Sequence, residues 1–254
     1  MAEIRYRMTV AYDGTNYCGW QAQSHCRTVQ GEIERVLERI TGAPVRVESS
    51  GRTDSGVHAR AQVAHFDLPR PIPDLRRFRH SLNSLLDDDI RVYSVRRAPP
   101  GFHARFSAVG KEYRYFIYNG ALVPPHLRLY HLRVLPRLDL DRMRAAAALL
   151  EGEHDFAAFA ANRGYPFEST VRTVHHIALR RHGAVVTIAV RGSGFLYKMV
   201  RSIAGFLIDV GIGRLEPELA REILASGRRT AVVQTVAPHG LFLWRVFYEQ
   251  SKAR

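Results

Sequence analysis

The order of strand-like and helix-like segments in the first hundred residues limits the fold of this chain more than any other feature. Residues 4–13 alternate polar and apolar side chains, which predicts a half-buried strand. Thr28 is a predicted N-cap, and the helix that follows should end at Gly42. Asp74 is placed to cap a second helix. The remaining predicted strands are PVRVESS, QVAHFDL and IRVYSVRRA. This order, β-α-β-β-α-β, predicts a ferredoxin-like half with antiparallel pairing.

The rest of the chain repeats this mixture of strands and helices without a residue-level repeat. A helix is expected from about Asp139 to Leu150, followed by a hairpin of two strands and a further helix opened by Pro217. The other predicted elements are a strand in KEYRYFIYNG, a long helix over GFLYKMVRSIAGFLIDVG and a last strand in GLFLWRVFY. We therefore expect an α+β protein with two similar ferredoxin- or RRM-like halves, an antiparallel sheet with helices on one side, and a functional cleft between the halves. The Pro-rich ALVPPHLRLYHLRVLP indicates a boundary between residues 1–120 and 121–254.

Net charge is the strongest signal in the composition. The 254 residues include 37 basic and 24 acidic side chains, for a formal net charge of +13. The lysines are Lys111, Lys198 and Lys252, so nearly all of the basic residues are arginines. Genomic base composition accounts for a high ratio of arginine to lysine but not for the excess of positive charge. The planar guanidinium suits phosphate and stacks on bases, so the composition favours a nucleic-acid partner over a membrane or an acidic protein.

Several other classes of protein are disfavoured. No uninterrupted apolar run is long enough to cross a bilayer, and the first ten residues lack the apolar core of a signal peptide, so we expect a cytoplasmic protein that does not enter the membrane. The spacing of Cys18 and Cys26 fits neither a zinc site nor a disulfide framework. The twelve histidines are scattered along the chain, so no metal is expected.

The segment GRTDSGVH (51–58) could hold a carboxylate at a reactive centre. Gly51 and Gly56 permit tight turns around Asp54, and the segment lies between two predicted strands. The same residues also suit a surface Asx turn with Arg52 as a loose partner of Asp54, and the residues alone leave both interpretations open.

Two further segments carry residues of interest. In FLYKMVRSI, Arg201 lies beside an apolar helical stripe, with Lys198 one turn earlier; it could reach solvent or pair with a catalytic carboxylate and lower its pKa. In KEYRY, Tyr113 and Tyr115 share a strand face, and Lys111 and Arg114 lie close to them in the sequence. Such tyrosines either stack a base, with the cations on phosphates, or pack in the core.

Taken together, these segments resemble the bacterial tRNA pseudouridine synthase A family. The resemblance covers nearly the whole chain and is carried, in order, by YDGTNYCGWQAQ, GRTDSGVHARAQVAHF, LNSLLDDDI, FHARFSA with KEYRY, HDFAAF, GFLYKMVRSIAG and APHGLFL. Two departures are minor. Ser55 replaces the usual Ala, and Asp87 replaces a frequent Pro.

The resemblance implies roles for four residues. Asp54 matches the catalytic aspartate, and Arg52 matches the arginine that enters the RNA stem and helps to displace the target nucleotide. Tyr113 matches the tyrosine that stacks on the target base, and Arg201 matches the arginine that pairs with the aspartate. Arg52 is therefore expected to bind RNA, and the cations Lys111, Arg114 and Lys198 near these residues are expected to bind it as well.

The implied reaction isomerises uridine to pseudouridine without a cofactor. The N-glycosidic bond breaks, the uracil turns, and a C–C bond forms. Asp54 could act as a nucleophile at C1′ or C6, or as a base that removes the 2′ proton. The implied substrate is the anticodon arm of tRNA, at about positions 38–40, where the target must be flipped out of its stack. The family also implies a homodimer. The alternatives are a non-catalytic tRNA-binding or folding module, and a related synthase that modifies other uridines.

Overall fold

The computed structural model describes residues 3–162, 164 and 167–249, and it has the predicted mixed α+β character. The described residues form two compact units, one of residues up to Val109 with those from Phe242 onward, the other of Gly110–Leu241. The strands are Ile4–Tyr12 (β1), Glu48–Ser49 (β2), His58–Leu68 (β3), Ile90–Arg97 (β4), Ala108–Tyr118 (β5), Leu132–Arg133 (β6), Gly152–Asp155 (β7), Val171–His182 (β8), Val185–Gly192 (β9) and Leu241–Tyr248 (β10). The helices are Val29–Thr41 (α1), Leu75–Leu85 (α2), Leu140–Leu150 (α3), Met199–Gly211 (α4) and Leu219–Ser226 (α5).

The first unit has the predicted ferredoxin-like order. Strand β1 pairs antiparallel with both β3 and β4, and β2 pairs antiparallel with β3, which gives the spatial order β4-β1-β3-β2. Alternate residues of β1 are buried from Tyr6 to Tyr12, as the sequence pattern predicts. The last predicted strand, β10, pairs with β3 in parallel, with Phe242 opposite His58. Local patterns predict this strand but cannot assign its partner.

Helices α1 and α2 have the predicted capping residues, and α3 is capped by the residue at which it was predicted to begin. The Thr28 side chain accepts a hydrogen bond from the Gly31 amide at the start of α1, and Gly42 ends that helix with a φ of 78°. Asp74 and Asp139 accept bonds from amides in the first turns of α2 and α3. These interactions span two or three residues, so the sequence alone specifies them.

Strand β2 is shorter than the predicted PVRVESS strand because a helix binds part of that segment. The Val47 amide donates to Glu34 Oε1 at 2.8 Å, and the Val47 carbonyl accepts from Gln30 Nε2 at 3.0 Å. Both side chains belong to α1. The backbone polar groups of Val47 are therefore satisfied without a strand partner, and pairing with β3 is limited to two residues.

In the second unit, β5, β9, β8 and β7 lie side by side in that order, and β6 pairs in parallel with β5. The predicted hairpin is β8 and β9. Helix α4 begins at Met199, so the prediction that Phe195 and Lys198 lie within this helix was wrong. Lys198 adopts a left-handed conformation with a φ of 58°, which is incompatible with a continuous α-helix through this position.

None of the helices in the described part of the chain is long and apolar enough to cross a membrane.

Candidate active site

The candidate catalytic loop, residues 51–57, connects β2 to β3 and presents Asp54 at the start of a tight turn. The Val57 amide donates to the Asp54 carbonyl at 3.1 Å, and Gly56 has a φ of 74° at the third position of the turn. Glycine suits that position because side chains clash with the backbone at positive φ. Asp54 is half-buried and Arg52 is exposed, while Thr53 between them is buried. The loop therefore orients the two candidate residues by fixing the backbone of the residue that separates them.

A second loop, residues 13–27, lies directly against the catalytic loop, and two glycines make this approach possible. A Cβ atom on Gly14 would lie 2.1 Å from the Val57 carbonyl oxygen, and one on Gly19 would lie 2.6 Å from the Thr53 carbonyl oxygen. Gly19 also has a φ of 95°. Neither position has room for a larger residue unless one backbone moves away from the other. We call residues 13–27 the clamp loop.

Hydrogen bonds join the clamp loop to the catalytic loop at both sides of Asp54. The Trp20 amide donates to the Thr53 carbonyl at 3.1 Å. The Tyr17 carbonyl accepts from the Ser55 hydroxyl at 3.1 Å and from the Gly56 amide at 3.4 Å. The backbone around the Asp54 carboxylate is thus held on each side by a partner distant in sequence.

Buried side chains support the same loop from within the first unit. The Tyr12 hydroxyl and the Thr53 hydroxyl are hydrogen bonded at 2.8 Å, and Gln62 Nε2 donates to the Gly51 carbonyl at 2.8 Å. Burial raises the pKa of Tyr12, so its hydroxyl keeps its proton in this contact. Trp20 is fully buried, which shows that it anchors the clamp loop.

Sequence patterns alone do not mark the clamp loop as part of the site. Its signal in the sequence is the pair Gly14 and Gly19 in YDGTNYCGW, but glycine in a loop is common and the close approach depends on residues about 35–45 positions away.

Tyr113, Tyr115 and Arg201 belong to the second unit. Tyr113 is buried on β5, and its ring meets Phe195 edge to face with centroids 5.3 Å apart. Tyr115 is fully buried on the same strand face, and its hydroxyl donates to the Ala237 carbonyl at 2.7 Å. Burial raises the pKa of Tyr115, and the positive charge of Arg201 partly offsets this rise. Tyr113 and Tyr115 thus share one buried strand face, and Arg201 acts on the pKa of Tyr115 through its charge.

The first turn of α4 presents Arg201 half-buried. Its Nε donates to the Val236 carbonyl at 2.8 Å, and its own carbonyl accepts from the Val236 amide at 3.4 Å. A bond from Nε fixes the plane of the guanidinium and so decides where its terminal nitrogens point. The geometry therefore presents an oriented cation rather than a side chain that extends to solvent.

The predicted RNA-binding residues of the second unit are Lys111, Arg114 and Lys198, and each is partly accessible. Arg114 Nε pairs with Glu112 at 2.8 Å, and Lys198 Nζ lies 4.9 Å from the centre of the Tyr197 ring. Lys111 is on β5 opposite Gly192. Asp54 and Arg52 lie in the first unit, whereas the other predicted site residues lie in the second.

Among the described residues, Glu48, His65 and His103 form a cluster with metal-ligating side chains whose ligand atoms lie within 4.8 Å of one another. Their hydrogen bonds do not suit a metal. Nδ1 of His65 accepts from the Ala104 amide at 3.2 Å, and Nδ1 of His103 accepts from the Arg105 amide at 3.1 Å. Each neutral ring then carries its proton on Nε2, and His103 uses that proton to bond Glu48 at 3.1 Å. A metal would need the lone pairs that these tautomers do not offer.

Comparison with known proteins identifies the family of this chain. A family model described as tRNA pseudouridine synthase matches residues 8–107 and 146–249. A protein of Oceanobacillus iheyensis named tRNA pseudouridine synthase A is 44% identical over 248 residues, covering 97% of this chain and 98% of the relative. Proteins of the same name from Bacillus subtilis and Chlamydia trachomatis are 44% and 43% identical, covering 97% and 95% of this chain and 100% and 91% of their own lengths. This chain belongs to the tRNA pseudouridine synthase family.

Proposed function

We propose that this enzyme isomerises uridine to pseudouridine in the anticodon stem-loop of tRNA, at about positions 38–40, and that Asp54 is its catalytic carboxylate. The observation that carries the proposal is the doubly clamped turn at Asp54, since preorganised catalytic groups are held by neighbouring backbone and side chains. Family membership and the net charge of +13 support a tRNA substrate.

Four residues carry the proposed chemistry and recognition. Asp54 acts on the target nucleotide, by attack at C1′ or C6 or by removal of the 2′ proton. Tyr113 stacks on the base, and Arg201 provides the positive charge that favours ionised Asp54. Arg52 is exposed two residues before Asp54, which suits entry into the RNA stem and displacement of the target nucleotide. Lys111, Arg114 and Lys198 bind backbone phosphates. These roles rest on the family resemblance together with the local geometry of each unit.

We further propose that the enzyme works as a homodimer in the cytoplasm. A tRNA carries one negative charge on each phosphate, and a dimer would present the strong positive charge of two chains to this polyanion. Light scattering of the purified protein at several concentrations measures the oligomeric state directly. A mass of one chain throughout that range would contradict the homodimer.

The central test measures tritium released from tRNA labelled at uridine C5, because bonding of C5 to C1′ replaces the C5 hydrogen. We expect Asp54→Asn to release no tritium above background while its thermal unfolding midpoint stays near that of the wild type. Asp88→Asn is the matched control, since Asp88 is a fully exposed carboxylate of the same unit, and its turnover should be unchanged. Release by Asp54→Asn at the wild-type rate would refute the assigned mechanism. Wild-type protein that binds tRNA but releases no tritium would indicate a binding module instead.

A further inference from the structure

Residues 233–237, which we call the strap, run along helix α4 and contact its backbone closely. A Cβ atom on Gly205 would lie 2.4 Å from the Gln234 carbonyl oxygen, so the strap touches α4 at a position without a side chain. The hydroxyls of Ser202 and Thr235 are hydrogen bonded at 3.2 Å. The path of the strap is therefore set by α4, one turn along from Arg201.

The strap provides hydrogen-bond acceptors for two residues of the second unit, Arg201 and Tyr115. Its Val236 carbonyl accepts from Arg201 Nε, and its Ala237 carbonyl accepts from the Tyr115 hydroxyl at 2.7 Å. A displacement of the strap would move both acceptors at once. The plane of the Arg201 guanidinium depends on where the strap lies.

Arg229 ties the strap to α4 through three hydrogen bonds. Its Nη1 donates to Ser202 Oγ at 2.9 Å, and its Nη2 donates to the Val233 carbonyl and to Thr235 Oγ1, each at 2.7 Å. These acceptors lie on α4 and at two points of the strap. The planar fork of arginine reaches all three, whereas the single ammonium of lysine cannot reproduce that arrangement.

The partners of Arg229 in the described part of the chain are neutral oxygens rather than carboxylates. Burial lowers the pKa of the Arg229 guanidinium, which shows that its surroundings disfavour the charge. A partly desolvated cation without an ion pair is an inefficient source of stability. Its contribution is better explained by the geometry that it imposes on the strap.

We propose that Arg229 is a positioning residue for the isomerisation: it holds the strap so that the Val236 carbonyl keeps Arg201 in its working orientation. This inference rests on the proposed function. It identifies a residue that lies outside the family motifs from which that function was inferred. Arg229 itself contacts neither the reacting atoms nor Asp54 in this scheme; its effect passes through Arg201.

The test compares Arg229→Met with Arg228→Met, an exposed neighbouring arginine, in single-turnover tritium release with saturating enzyme. We expect the Arg229 variant to turn over about 10–100-fold more slowly, as misplaced catalytic groups do, with a Kd for tRNA within about twofold of the wild type. The Arg228 variant should resemble the wild type. In an Arg201→Lys background, Arg229→Met should cause no further loss of rate, because its route of action is already removed.

A second readout does not depend on activity. The NMR resonance of the Arg201 Nε–H group should shift in Arg229→Met and stay in place in Arg228→Met, because its hydrogen bond to Val236 is altered only in the first. If Arg229→Met does not fold, Thr235→Val removes one of the three acceptors at similar volume. It should shift the Arg201 resonance in the same direction and cause a smaller loss of rate. An unmoved resonance, or an equal loss of rate in both backgrounds, would overturn the proposal. Wild-type protein without tritium release would refute the proposed function but leave the resonance test of the strap in force.

Discussion

The clearest quantitative test of the clamped turn is Gly19→Ala. Gly19 lies in the clamp loop with a φ of 95°, and a Cβ atom there would be 2.6 Å from the Thr53 carbonyl oxygen and 3.1 Å from the Asp54 carbonyl carbon. Ordinary van der Waals contact begins near 3.4 Å, so one loop must retreat from the other by about 0.8 Å. The backbone in closest contact is that of the residue before Asp54.

This variant should affect two quantities, the free energy of unfolding and the rate of turnover. Placing alanine at positive φ costs about 1–2 kcal/mol in the free energy of unfolding. Displacement of the catalytic loop by nearly 1 Å costs up to about 100-fold in rate, equivalent to about 2.7 kcal/mol of transition-state stabilisation. We therefore expect Gly19→Ala to lower stability by more than 1 kcal/mol and turnover by about 10–100-fold.

Gly42→Ala is the matched control because it isolates the backbone effect. Gly42 ends α1 with a φ of 78°, and a Cβ atom there would meet nothing within 4 Å. Urea denaturation should show a loss of about 1 kcal/mol in this variant, and tritium release should stay at the wild-type rate. If Gly19→Ala kept wild-type turnover, or if Gly42→Ala lost as much, the role of the clamp loop would be refuted.

Two further predictions concern stability. Burial lowers the pKa of His65 from 6.5, so below that pH the unfolded chain binds the proton first, and the free energy of unfolding should fall on acidification by at most about 1.4 kcal/mol per pH unit from this residue. Urea titrations between pH 7.5 and 5.5 should show a flatter dependence for His65→Gln, and an unchanged slope would contradict the assignment. Lys198 has a φ of 58°, so Lys198→Gly should raise the free energy of unfolding by about 1 kcal/mol while weakening tRNA binding. A loss of stability would mean that the lysine side chain contributes more than its backbone costs.

Much of the secondary structure could be predicted from local patterns. Thr28 and Asp74 cap helices as predicted, and Asp139 caps the helix that was predicted to begin there, because a capping side chain bonds amides two or three residues away. The β8–β9 hairpin and the β-α-β-β-α-β order follow from periodicity over about ten residues, since alternation and helical spacing are properties of neighbouring side chains.

Local patterns predicted the wrong element length where contacts with distant residues determine the backbone conformation. The predicted helix over FLYKMVRSI begins only at Met199, since Lys198 has left-handed geometry and Phe195 packs on Tyr113. The predicted strand around Val47 is cut short because α1 supplies its hydrogen-bond partners. In each case apolar periodicity alone indicated a longer element than the tertiary contacts permit.

The sequence by itself determined the family, the candidate residues Asp54 and Arg201, and the order of elements that carries them. Only the tertiary structure decided how each is held: Gly19 against Thr53 for the aspartate, and the strap fixed by Arg229 for the arginine. The approach of Gly19 to Thr53 and the bond of Arg201 to the Val236 carbonyl each join residues more than 30 positions apart. No periodicity encodes such contacts, because the atoms involved are common to every residue and become specific only when the chain is folded.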